Sequence, residues 1–484
     1  MSLTDVNLQV TLPLLVLAGW ACGLLLVDLW IPKDRKIITA GLAVLGMVVT
    51  TVILVLNRNL HGLAFSGMVQ VDGFSYIVSL ICLITGILAV ILSYPYLKQN
   101  QEHRSEFYSL ILFSLVGMLI MPLANDLVVV FVAIEMLSIP LYVLSGYFRA
   151  RSDSEESALK YFLLGAFSSA FLVYGTALVY GALATTGFTG IQAQLSQGGY
   201  DSVLLAAGVG LLLVGLAFKI AAVPFHMWTP DVYEGAPSVV TAYMSVAVKT
   251  AGFAALIRVF FGAFASIAAD WTPVIAVLSA ATMILGNVSA ISQTSLKRML
   301  AYSSIAHAGY MLMAIVAAGT AGANFAAAAV VFYALAYAFT NLGTWSVLMA
   351  VEKQMGVGNN IRDLAGLAKQ HVPMAIAMTI FMFSLTGMPL TIGFIGKFYV
   401  FSATMQAGYT WLAIVGVITS LISAFYYLRV IVMMWMEKGE VTLNREPALS
   451  AVLAVAAIGT LLFGLVPNAL LQLAESAVQG LFSN

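Results

Sequence analysis

Apolar runs of about 20 residues follow one another along almost the whole chain, separated by short polar breaks. A helix rising about 1.5 Å per residue needs about that length to cross the hydrocarbon core of a bilayer. The runs fall at 12–29, 37–56, 74–97, 107–123, 125–147, 159–181, 203–226, 237–262, 272–292, 298–318, 323–351, 374–405, 408–436 and 449–474. They predict an all-α polytopic membrane protein of about fourteen transmembrane helices. No Lys or Arg precedes the first run, so the basic start of a signal peptide is missing and the first helix is expected to stay.

The 21 basic residues sort by parity of the breaks. Lys33, Arg35, Lys36, Lys98, Arg104, Arg149, Arg151, Lys160, Lys297, Arg298, Lys353, Arg362, Lys369, Lys438 and Arg445 are assigned to breaks that join an odd span to an even one. Only Arg58 and Arg258 are assigned to the other set. Basic loops stay cytoplasmic. The asymmetry therefore predicts an even number of spans, with both termini on the non-cytoplasmic side.

Composition narrows the function. Of the 484 residues 61% are hydrophobic and 9% charged, against about 25% charged in a soluble domain. The formal net charge is zero, without the basic excess that a nucleic-acid binder needs. Cys22 and Cys82, the only cysteines, lie in apolar runs and cannot by themselves hold an iron–sulfur cluster. No nucleotide-binding glycine loop, metal-ligand cluster or nucleophile–base motif is present. No cofactor and no metal are expected in this chain.

The informative residues are those that lipid should exclude. A charge at the bilayer centre costs at least about 2.5–3.5 kcal/mol, so an intramembrane ionisable group calls for a function. Glu135 lies mid-way along the fifth span and Lys249 along the eighth. Lys219, in the seventh, precedes Pro224, and Lys397, in the twelfth, follows Pro389. His307 lies within the tenth and reads equally as a core histidine or a relay; Arg429, in the thirteenth, reads better as an interfacial anchor. His226 and Asp231, after the seventh span, suit a structural or gating role as well as transfer.

Proline inside a helix removes a donor and clashes with the preceding turn. Spans 7 and 12 are therefore expected to be broken, the second helped by Gly387, Gly393 and Gly396. Freed carbonyls at such breaks are tolerated only where they line protein or water. The pairs Glu135 and His307, Lys219 and Lys397, and Lys249 and Arg429 are 172, 178 and 180 residues apart, five spans in each case. An odd period inverts the second copy, as in many secondary transporters. Divisions at 1–106, 107–262, 272–436 and 437–484 follow, the middle two being repeats of spans 4–8 and 9–13.

Burial disfavours the charged form of both lysine and glutamate, and pairing restores it. A movable Glu–Lys pair is thus a proton switch, and Glu135, Lys219, Lys249, His307 and Lys397 form a candidate proton relay at mid-membrane.

The segments AFKIAAVPFHMWTPDVYEGAP (217–237), SQTSLKRMLAYSSIAHAGY (292–310) and GMPLTIGFIGKFYVF (387–401) resemble the antiporter-like membrane subunits of respiratory complex I. The WTPDVYEGAP wording is similar to the subunit N branch, the counterpart of mitochondrial subunit 2. The resemblance implies a proton channel of two inverted five-helix repeats, with key residues at Glu135, Lys219, Lys249 and Lys397. It implies flavin, iron–sulfur clusters and quinone in partner subunits, quinone reduction there as the driving force, and subunits M, K and the lateral helix of L as neighbours. It places the chain in a bacterial cytoplasmic (inner) membrane. The alternative is an Mrp-type cation/proton antiporter subunit, for which a second deep carboxylate is expected; Asp126 lies only near a helix end.

Overall fold

The computed structural model describes residues 7–32, 35–318, 320, 322–353, 358–444, 446–479 and 481; Lys33 and Arg445 lie outside the described residues. The chain is helical nearly throughout. In order, α1 (Leu8–Asp28) and α2 (Ile37–Leu56) precede a short antiparallel hairpin, β1 (Gly62–Ala64) with β2 (Val69–Val71). Then come α3 (Gly73–Gln99), α4 (Glu106–Ile120), α5 (Leu127–Ser145), α6 (Ser152–Leu183), α7 (Phe188–Gln197), α8 (Ser202–Ile220) and α9 (Trp228–Gly235). The helix α10 (Ser238–Ala263) is followed by α11 (Ala268–Ile291), α12 (Leu296–Ile315), α13 (Ala323–Val351), α14 (Val372–Thr386) and α15 (Ile392–Gln406). The last three are α16 (Thr410–Met436), α17 (Pro447–Leu465) and α18 (Asn468–Val478).

Among the described residues, twelve helices are long and apolar enough to cross a membrane. Two expected spans fall outside that set for identifiable reasons. The helix α12 carries Lys297, Arg298, Ser303, Ser304 and His307, and the run 374–405 is divided into α14 and α15. Between these two, Gly387 takes φ 89° and Leu390 φ 71°, both in the left-handed region. The expected break in span 7 is also present: α8 stops at Ile220, where Ala221 takes φ 62°, ahead of a cis Val223–Pro224 bond.

Three assignments need correction. Arg258 is buried inside α10, where its Nη2 lies 2.7 Å from Asp72 and its Nε donates to the Pro122 carbonyl. Lys297 belongs to the first turn of α12, which Ser295 caps, and it too is buried. The run 449–474 is not one span, because Pro467, which lacks an amide donor, separates α17 from α18.

Burial separates the centre from the periphery. In α10, 94% of the most apolar window is enclosed, against 33% in α1, α6 and α17. A helix apolar on all sides belongs in such a core. The Gly117 site in α4 lies so close to α5 that a Cβ there would fall 2.3 Å from the Leu137 nitrogen. Gly252 of α10 similarly abuts Ile220 and Lys219 at the end of α8. These close approaches set α5 against α4 and α10 against the end of α8.

Candidate functional site

Helix α5 starts at Asp126, whose carboxylate accepts the Val128 amide at 2.7 Å, a standard N-cap arrangement. About two turns on, Glu135 accepts a hydrogen bond from Ser169 of α6. Ser138, one turn further, accepts a hydrogen bond from Lys219 Nζ at 2.5 Å. The expected direct Glu–Lys pair is not formed. Among the described residues no ion pair joins Glu135 to a lysine, and the two charges are held on successive turns of α5 by serines. Pro140 leaves the Met136 carbonyl beside them without its helical donor.

Lys219 is in the last turn of α8, where unpaired carbonyls favour a cation. It is 3% exposed, and the rings of Tyr142, Tyr161 and Phe218 lie 5.7, 5.7 and 5.6 Å from its nitrogen. Aromatic faces partly replace lost hydration. Lys249 follows directly on a π-type turn (Met244–Val248) and lies one turn before Gly252. Its Nζ donates to the carbonyl and, at 2.5 Å, to the hydroxyl of Ser304, with the Tyr337 ring 5.2 Å away.

Ser304, His307 and Tyr310 recur every three residues along α12, so they share one side of it. His307 Nδ1 is 2.7 Å from the Tyr333 hydroxyl and Nε2 is 3.2 Å from that of Tyr427. Tyr427 in turn bonds to Ser303 at 2.5 Å. Lys397 lies over the Tyr310 ring at 4.7 Å. Its ammonium donates to Ser420 Oγ and to the Thr386 carbonyl, each at 2.8 Å. Thr386 is the last residue of α14, so this lysine occupies a carbonyl freed by the helix break. Of this candidate row, Lys219, Lys249, His307 and Lys397 are buried and Glu135 is half-buried, and every lysine of it is held by hydroxyls or carbonyls rather than by a carboxylate.

Other marked residues lie off the row. Arg429 donates to the carbonyls of Ile291 (2.9 Å) and Gln293 (2.6 Å) and so caps the end of α11, a fixing role. His226 stands half-buried in the turn after α8, and among the described residues its Nδ1 has no partner. Asp231 of α9 bonds Lys160 at 2.6 Å and Arg298 at 2.8 Å, tying α9 to α6 and α12. Burial raises its pKa, but the hydrogen bonds from Lys160 and Arg298 outweigh that and hold the carboxyl below the ordinary 3.8. The stability this adds is present above the ordinary aspartate range and is lost as pH falls through the lower folded value. Asp231→Asn is expected to lower thermal stability near pH 7 and to cost progressively less as pH falls below the ordinary aspartate range; a loss independent of pH would refute the linkage.

Sequence reasoning missed the hydroxyl partners and three buried charges. Ser304 and Tyr310 were recoverable from their spacing about His307. Arg258, Lys297 and Glu352 were not, because each adjoins the end of a span and reads as a loop residue.

The family described as NADH:quinone oxidoreductase/Mrp antiporter, TM, matches residues 124–423, which contain the whole row. The NADH-quinone oxidoreductase subunit N of Trichlorobacter lovleyi is 44% identical over 98% of this chain and 97% of its own length. That of Rhodospirillum rubrum is 41% identical over 99% of each. The chain belongs to the subunit N family. A chain in the structure of respiratory complex I from Thermus thermophilus with bound aureothin superimposes with TM-score 0.82 at 34% identity, covering 95% of this chain and 98% of that one. A chain of the Mrp complex from a Dietzia species has the same fold (TM-score 0.85) at 21% identity, covering 98% of both. The antiporter-like, multi-pass membrane fold is therefore common to the two groups, while the curated relatives named here are subunit N proteins.

Proposed function

We propose that this subunit N protein is a proton-translocating membrane subunit of an NADH:quinone oxidoreductase. Glu135, Lys219, Lys249, His307 and Lys397 are its relay. The observation that carries this reading is that three buried lysines and a histidine are each bonded to neutral hydroxyls or carbonyls. A lysine without a carboxylate partner can lose its proton and regain it, whereas a paired one holds it. Hydroxyls of Ser304, Tyr333 and Tyr427 sit between the charged sites and can both accept and donate.

In this reading spans 4–8 and 9–13 are the two inverted repeats, residues 107–262 and 272–436, and the broken ends of α8 and α14 open the row to water. Flavin, iron–sulfur clusters and quinone belong to partner subunits, and quinone reduction there drives the transfer. Subunits M and K and the lateral helix of L are the neighbours, in a bacterial inner membrane with both termini outside the cytoplasm. The Mrp-type alternative rests on the shared fold alone.

Lys219→Ala and Lys397→Ala in the assembled complex are expected to lower the protons moved per NADH oxidised in proteoliposomes. If the complex assembles and the ratio stays at the wild-type value in both, the relay is wrong.

A further inference from the structure

Lys297 and Glu352 form an ion pair at 3.4 Å, with 0% and 2% of their surfaces exposed. Glu352 also accepts from Tyr96 Oη at 3.2 Å and from Ser238 Oγ at 2.5 Å, and Lys297 donates to the Ala236 carbonyl at 3.4 Å. A buried pair is a weak source of stability, since apolar residues of like volume hold a core as well. Its surroundings suggest another use.

Three helices run from the pair toward Lys249, each with polar groups on one side. On α10, Ser245 and Lys249 follow Ser238 by seven and eleven residues. On α12, Ser304 follows Lys297 by seven; on α13, Asn341 precedes Glu352 by eleven. With 3.6 residues per turn, intervals of seven and eleven return to the same face on α12 and α13; on α10 the π-type turn at Met244–Val248 intervenes, and hydrogen bonds to α12 and α13 place Ser245 and Lys249. The helices are joined at three levels. Ser238, Glu352 and Lys297 make the first. Asn341 Nδ2 donates to Ser245 Oγ at 2.5 Å in the second, and Lys249 donates to Ser304 in the third. Seven residues of α12 span about 10 Å, a distance that about three bridging waters close at about 2.8 Å per hydrogen bond.

At its other side the pair adjoins a polar cavity of ≈ 470 Å³, lined by Arg151, Asp153, Ser295, Lys353, Asn360 and Asp363 among others. Ser295 and Lys353 are within two residues of Lys297 and Glu352. At about 30 Å³ per molecule the cavity has room for on the order of ten waters.

We propose that Lys297 and Glu352 form a proton-loading gate that joins this cavity to Lys249. A hydronium in the cavity gives its proton to the Glu352 carboxylate and leaves as water. The neutral carboxyl no longer holds the ammonium, and Lys297 passes a proton along the polar column to the free amine of Lys249. Lys297 then recovers a proton from Glu352, restoring the pair, so that one proton has left the cavity and one has reached Lys249. The gate rests on the relay reading above.

The test uses the whole complex in proteoliposomes. In the double variant Lys297→Gln, Glu352→Gln the amide at 352 keeps the shape, accepts from Tyr96 on its oxygen and donates to Ser238 Oγ from its nitrogen, and neither amide titrates. It is expected to assemble and to lower the protons moved per NADH to the level of Lys249→Ala. Thr442→Trp, at the exposed wall of the cavity, leaves the pair intact and is expected to slow proton uptake at least twofold; it carries the test if the double variant does not accumulate. If Lys249→Ala lowers the ratio and these variants leave ratio and uptake at wild-type values, the gate is overturned and the relay stands. If Lys249→Ala also has no effect, the relay has failed and the gate with it.

Discussion

Lys249→Ala is expected to cut the rate of proton transfer through this chain by about a hundredfold or more, with the complex still assembled. A positioned acid–base group typically contributes 10²–10⁴-fold to a proton transfer, and Lys249 is the titratable group on α10 between Lys219 and His307. Alanine also leaves the carbonyl and hydroxyl of Ser304 without their donor, which water entering the vacated space can satisfy. The decisive companion is Lys249→Arg. A guanidinium keeps the positive charge but does not release its proton at any pH the protein survives. Proton flux measured with a pH-sensitive dye inside vesicles should be low in both variants. An arginine variant that pumps normally would mean that position 249 serves as a fixed charge, and the relay would lose its centre.

Glu352→Ala is expected to cost about 3–5 kcal/mol, because it leaves the Lys297 ammonium buried without its counter-charge. Tyr96 and Ser238 lose their acceptor in the same step, and both lie in the core. The thermal half-life of the purified complex, or its yield from membranes, reads this directly. Pairing the change with Lys297→Met should recover most of the loss, since two neutral side chains carry no uncompensated charge. Full stability of the single variant would show that water reaches Lys297.

The spans and the lysines in them were legible in the sequence because lipid imposes a coarse rule. Long apolar runs must be helices, and a charge within one is conspicuous at any alignment of its neighbours. The breaks after α8 and α14 were legible for the same reason, from proline and glycine in otherwise apolar text. What escaped depends on contacts between distant segments. Lys297 and Arg258 each adjoin the end of a run, and only Glu352, 55 residues away, and Asp72, 186 residues away, explain why they are inside. The serines and tyrosines were hidden differently. A hydroxyl in a helix commonly bonds back to its own preceding turn, and nothing in its identity distinguishes Ser304, which receives Lys249, from Thr250, which bonds back to Val246. Even the relation between Glu135 and Lys219 required geometry, since the two types of charge suggested an ion pair and each bonds instead to its own serine, Ser169 and Ser138.

The wide turn at Met244–Val248 has a consequence for chain length. A π-type turn contains one residue more than the α turn it interrupts, and that surplus sets the angle between the parts on either side. Ser238 is fastened to Glu352 before the turn and Lys249 to Ser304 after it. Deleting a single residue from 244–248 would close the turn to ordinary α geometry, in which the narrower turn takes up the loss and the parts on either side keep their facing. Such a chain could keep both the carboxylate contact and the lysine contact. It would lose only the local change of angle that the surplus residue sets.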